Sequence, residues 1–144
     1  MELEIINRQK LYPIDEKRII KLVKRVLKSE DKEAFLSIVV TDNREIRKLN
    51  KTFLGHDYVT DVLSFGYDTS ENGVSGEIIV SAEMAHKVAQ KRGHDAEGEI
   101  VLYLIHGLLH LIGYDDKKKE DAKKMHRREK ELLSNLGYNI SVPE

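Results

Sequence analysis

The stretch Ile100 to Ile112 reads IVLYLIHGLLHLI, apolar on almost every side when wound as a helix. A helix with no polar face cannot lie on a surface, so the fold must enclose this one. Helical spacing carries the segment back to about Asp95, and Gly113 closes it. Its longest unbroken apolar run, Ile100 to Ile105, is far short of the ~20 residues a bilayer span needs. The enclosing material is therefore expected to be the rest of the chain, with no membrane involved.

Elements of the right kind fill that remainder. Glu2 to Gln9 sets Leu3 and Ile5 against Glu2 and Glu4 and reads as a short strand. After Pro13, Asp15 is a natural N-cap for a helix to about Lys28, with Ile19, Leu22, Val23, Val26 and Leu27 at helical spacing. Phe35 to Val40 reads as a buried strand, and Thr41-Asp42-Asn43 caps a helix over Arg44 to Leu49. Asp61 to Phe65 and Glu77 to Val80 read as two strands of a hairpin, with a turn signal over Ser70 to Gly73. Helices over Ala82 to Arg92 and about Lys117 to Leu136, closed by Gly93 and Gly137, flank the apolar one. The sum is α+β: about four strands with helices packed on them.

The chain has 144 residues, 40% hydrophobic and 34% charged, which suits one folded domain over 1–144 and excludes a disordered chain. There is no cysteine, so disulfides and thiolate ligands are impossible and any transition-metal site must use His and carboxylate. The N-terminus is acidic where a secretory signal is basic, and a cytoplasmic location is expected. Net charge is −1, which says nothing for nucleic acid, but the charge is unevenly spread. Residues 7–28 hold eight Lys/Arg against two acids, and residues 117–131 hold eight against four. Two such segments form a phosphate-binding surface if folding joins them; otherwise they are solvated faces of amphipathic helices.

His106 and His110 lie four residues apart on the apolar helix, so both imidazoles leave one face, about a turn apart. Gly113 then lets the chain turn back and carries Tyr114, Asp115 and Asp116 towards that face. Ligands at the first, fifth and eleventh places have the layout of a metzincin zinc motif. A lone His on an apolar helix is ordinarily a satisfied core residue. Two of them, followed by glycine and carboxylates, are costly to bury unless a metal compensates. His106, His110 and Asp116 are accordingly the candidate ligands, leaving a coordination position open for chemistry. The residue after His106 is Gly107, where a zinc protease carries its general-base Glu, which argues against proteolysis. Water activation then falls to the metal or to a residue such as Asp115. Asp61 reads chiefly as a turn residue satisfying backbone groups, and as a partner for a ligand His in second place. His126 reads as a surface residue, and His56, His86 and His94 sit in polar or loop contexts.

The segment His106 to Asp116 resembles the signature of the YbeY family of bacterial metallo-endoribonucleases, H-G-x-L-H-L-x-G-Y-D-H. Leu49-Asn50, Phe53 and Thr60 to Phe65 resemble that family's second block, and Gly76 to Ser81 its third. The blocks come in family order, and length and element order also agree. The resemblance implies an α+β fold with a four-stranded mixed sheet and about five helices, the most apolar helix central and bearing the ligands. It also implies one zinc-type ion and cleavage of single-stranded RNA in ribosomal RNA maturation and ribosome quality control, with the ribosome or its proteins as partners. Two positions depart from the family pattern. The third ligand position holds Asp116 instead of His, which tilts preference towards magnesium or manganese. The family Arg after the second-block aromatic is here Leu54, so another cation is needed; Lys51, Lys117, Lys118 and Lys119 are candidates for RNA contact. The rival readings are a metallopeptidase and a non-catalytic ribosome-associated RNA-binding factor with a structural metal.

Overall fold

The computed structural model describes residues 1–67 and 73–140. Along the chain lie β1 (Glu2–Asn7), α1 (Glu16–Ser29), β2 (Glu33–Thr41), α2 (Asn43–Leu54), β3 (Val62–Gly66), β4 (Gly73–Ser81), α3 (Ala82–Arg92), α4 (Ala96–Ile112) and α5 (Lys119–Asn135). The strands form one mixed sheet in the order β1-β2-β4-β3. β1 and β2 pair in parallel, as do β2 and β4, while β3 runs antiparallel to β4. Parallel neighbours need crossovers, and α1 supplies the one between β1 and β2. The fold is α+β, a four-stranded mixed sheet with five helices.

Alternation along the inner strands divides the core in two. Ile38, Val40, Ile78 and Val80 face the larger cluster, which includes residues of α1, α3, α4 and α5. Val39, Leu63 and Ile79 face the other way, under Ile46 of α2. Helix α4 packs on β3, β4 and three other helices, and eleven of its seventeen residues are buried. Each large aliphatic side chain buried there contributes about 1.5–3 kcal/mol relative to exposure. Gly107 lets α4 approach the sheet: a Cβ on it would lie 3.0 Å from Ile78 Cγ2 and 3.3 Å from Val62 Cγ2.

Several boundaries differ from the sequence reading, each for a local reason. Helix α2 runs on to Leu54 and stops at Gly55, whose φ of 72° is left-handed. Asn50 breaks the apolar period there, yet it is buried and donates from Nδ2 to the Tyr58 carbonyl. Phe35 was expected inside, but it lies near the open end of β2 and is 58% exposed. Helix α5 starts at Lys119, two residues later than expected, because Lys117 is held by the preceding turn: its N–H donates to Asp115 Oδ1. The expected hairpin exists as β3 and β4, although its turn signal lies mostly outside the described residues.

Candidate metal centre

Helix α4 presents Glu99, Tyr103, His106 and His110 on one stripe, because residues three or four apart share a face. His106 Nε2 and His110 Nε2 stand 3.2 Å apart, with the rings edge to face. At Gly113, φ 121°, the helix ends, and the N–H groups of Gly113 and Tyr114 both return to the Leu109 carbonyl. That reversal sets Asp116 Oδ2 at 3.6 Å from His106 Nε2 and 3.5 Å from His110 Nε2. A tetrahedral zinc site with nitrogen bonds of about 2.0–2.1 Å has edges of about 3.4 Å. The three separations are close to that edge, and two imidazole nitrogens with one carboxylate oxygen are a zinc-type donor set. The residues present therefore fit such an ion.

The partner that orients His106 comes from α5, not from Asp61. Glu129, 2% exposed, accepts from His106 Nδ1 at 2.7 Å. A carboxylate can only accept, so Nδ1 carries the proton and Nε2 keeps its lone pair towards His110 and Asp116. Burial disfavours a charged His106 and is the largest single influence on it. The Glu129 hydrogen bond and charge, with Asp61 and Asp116, outweigh burial and raise the imidazole's pKa above its usual value. Asp61 itself caps the entry to β3: its Oδ1 accepts from the Val62 N–H at 2.8 Å and from the Thr60 hydroxyl. Glu129 was legible in principle, since it stands in the apolar register Met125, Leu132, Leu133, where a Glu needs a buried partner.

A cleft of about 480 Å³ opens beside His106 and Asp116, walled by α3, α4, α5 and residues 59–61. Among the described lining residues, the carboxylates Asp61, Glu99, Asp116 and Glu129 outnumber the Lys/Arg side chains, of which Arg92 is one. His126, read as a surface residue, is half-buried and lines the cleft. His94 likewise has a partner: its Nε2 meets Glu99 Oε1 at 2.7 Å, and Arg92 reaches the same oxygen at 3.5 Å. Glu99 is 1% exposed and was not singled out from the sequence.

The two basic segments are neighbours, but neither supplies a cation to the cleft wall. Arg25 of α1 donates to the Asn135 carbonyl, and Arg128 of α5 donates to Glu30 at 2.6 Å. Lys117, Lys118 and Lys119 are exposed and outside the cleft lining, although they follow Asp116 directly. Asp115 accepts from the Lys117 N–H, which shapes the turn. Among the described residues, His106, His110 and Asp116 are the group whose donor atoms converge, all within 4.8 Å.

Fold and site together define a mixed-sheet α+β protein with a His-His-carboxylate centre at the end of a buried helix. The family model for Endoribonuclease YbeY matches residues 4–137. Curated relatives of that name include one from Alkaliphilus metalliredigens, 37% identical, with 95% of this chain and 96% of the relative covered. Another, from Petrotoga mobilis, is 44% identical, with 87% and 88% covered. A solution structure from Thermotoga maritima superposes with a TM-score of 0.64 at 26% identity, covering 94% of this chain and 91% of that one. The chain belongs to the YbeY endoribonuclease family.

Proposed function

We propose that this protein is a metal-dependent endoribonuclease that cuts single-stranded RNA, with ribosomal RNA as its substrate in the cytoplasm. The observation that carries the reading is the convergence of His106, His110 and Asp116 at an open cleft in a chain of this family. Those three side chains would hold one ion, zinc by the two imidazoles, with magnesium or manganese allowed by the carboxylate. Bound there, the ion supplies Lewis acidity towards a phosphate oxygen and lowers the pKa of water. The chain's own residues do the rest. Glu129 keeps the proton of His106 on Nδ1 and fixes the ring. The turn after Gly113 holds Asp116 across from both imidazoles. Lys117, Lys118 and Lys119, exposed just beyond the third ligand, attract the polyanion at longer range.

The peptidase reading loses ground for a geometric reason. Position 107, where the protease base would stand, points at Ile78 and Val62 of the sheet, away from the cleft. A general base there would face the core, where no substrate can reach it.

The test is to purify the protein, measure bound metal, and assay single-stranded RNA and casein beside His110→Ala. RNA should be cut and casein spared, and the variant should lose both metal and cleavage. Metal-free protein that still cuts RNA would end this reading. Metal-loaded protein that cuts nothing would make it a binding factor with a structural ion.

A further inference from the structure

Carboxylates dominate the described lining of the metal cleft, so grip on a polyanion has to come from outside it. One wall leads out. Val59, Thr60 and Asp61 line the cleft, and the charge of Asp61 acts on His106. Tyr58 precedes them, its Cα no more than about 7 Å from that of Thr60. The Tyr58 ring is 55% exposed and lies beside His56, also exposed, with the two planes 11° apart and the centroids 5.3 Å apart. The pair is held from below. The Tyr58 hydroxyl meets His56 Nδ1 at 3.1 Å, and Asn50, 1% exposed, donates from Nδ2 to the Tyr58 carbonyl. The Asn50 carbonyl accepts from the His56 N–H, and Arg47 clamps Asp57, between the two rings, at 2.9 Å. Two exposed rings thus stand on a fixed backbone, and such preorganisation lowers the cost of binding to them.

The neighbouring charge identifies the occupant. Arg44, Arg47, Lys48 and Lys51 fall at helical spacing on one exposed face of α2. Arg47 and Lys51 both reach Asp57, which sets that face beside the loop, while Arg44 and Lys48 enter no ion pair among the described residues. Cations that attract a phosphate backbone, beside rings that offer a π-face, are the combination that takes unpaired nucleotides. We infer that His56 and Tyr58 form a stacking subsite for a nucleobase of single-stranded RNA, just outside the metal cleft, on the strand that leaves it past residues 59–60. The inference rests on RNA being the substrate. Every base has a π-face, so the subsite fixes where the strand lies without reading its sequence.

The test removes either side of the stack. Metal-loaded protein is titrated into a fluorescent 2′-O-methyl phosphorothioate oligonucleotide, which resists cleavage, and anisotropy gives the affinity. Tyr58→Ala should weaken binding about tenfold, within the range that one base stacked on an aromatic ring contributes, and Tyr58→Phe, which keeps the ring, by no more than about twofold. Neither change alters charge, so the slope of log affinity against log salt should keep its wild-type value. A single abasic residue is then walked along the oligonucleotide. At one position it should weaken wild type about tenfold and Tyr58→Ala hardly at all, the non-additivity of groups in contact. Equal binding by wild type and Tyr58→Ala overturns the inference. A loss that is additive at every abasic position, or that comes with a changed salt slope, marks a displaced loop and overturns it too. Cleavage of unmodified RNA, assayed in parallel, keeps the two readings apart. Wild type that binds with the expected pattern but cuts nothing supports the subsite and removes the nuclease; wild type that neither binds nor cuts removes both.

Discussion

Replacing Glu129 by Gln isolates the electrostatic part of the metal centre. Gln has nearly the same volume, and its Oε1 can still accept from His106 Nδ1, so the ring stays in place while the charge is lost. The hydrogen bond is short, 2.7 Å, and its acceptor is almost wholly buried. A hydrogen bond to a charged group is worth about 1.5–3 kcal/mol and a neutral one about 0.5–1.5. The difference of about 1.4 kcal/mol is about a tenfold loss of zinc affinity, at the low end of what outer partners of ligand histidines contribute. Glu129→Ala, which also frees the ring, should lose nearer a hundredfold. Competition against a chromogenic chelator at fixed pH measures both. NMR titration of the metal-free protein gives a second readout. In wild type burial lowers the His106 pKa, but Glu129 and the other carboxylates raise it above 6.5. Without the Glu129 charge, burial regains its weight and His106 should titrate lower. Equal zinc affinity in wild type and Glu129→Gln, or an unmoved His106 titration, would refute the reasoning.

Two further expectations concern stability. Gly107→Ala gains about 1 kcal/mol of helix propensity, but its Cβ would press on the β-branched Ile78 and Val62 at 3.0 and 3.3 Å. Overpacking of that kind costs about 1–3 kcal/mol, so a net loss near 1 kcal/mol and a melting temperature lower by about 2–4 °C are expected; a higher melting temperature would show that the strands give way. Tyr12, donating to the Ala82 carbonyl, and Tyr138, donating to Glu97, are both pushed up to about 12, chiefly by burial. From pH 10 to about 12 the unfolded chain therefore loses protons that the folded one keeps, and stability falls with rising pH. Ultraviolet titration should show Tyr12, Tyr138 and Tyr103, which burial pushes up further still, ionising late among the six tyrosines; all six ionising together near 10 in the folded state would contradict it.

Periodicity and capping were enough to place the nine elements of the described residues roughly, because α1 and α4 carry their apolar registers openly and Asp15 and Gly113 mark the start of one and the end of the other. The His106, His110 and Asp116 convergence was legible for the same local reason: all three lie within one helix and the turn that closes it. What escaped were pairings across the fold. Glu129 is twenty-three residues from His106, and Glu99 meets Arg92 and His94 through a bend between helices. A sequence shows a Glu in an apolar register but not which base will face it. Phe35, in a strand read as buried, is an aromatic left outside, and Asn50, an amide, is taken in where its Nδ2 can donate to the Tyr58 carbonyl.

The dependence of His106 on α5 bears on the order in which the protein is made. As the chain leaves the ribosome, the whole signature, His106 through Asp116, emerges before Glu129 does. Until α5 docks, the first imidazole has no buried carboxylate to hold its tautomer, and an ion held as proposed would be bound less tightly. Maturation of the centre is thereby tied to the emergence of α5, so a chain stalled before it would carry an intact motif without its buried carboxylate.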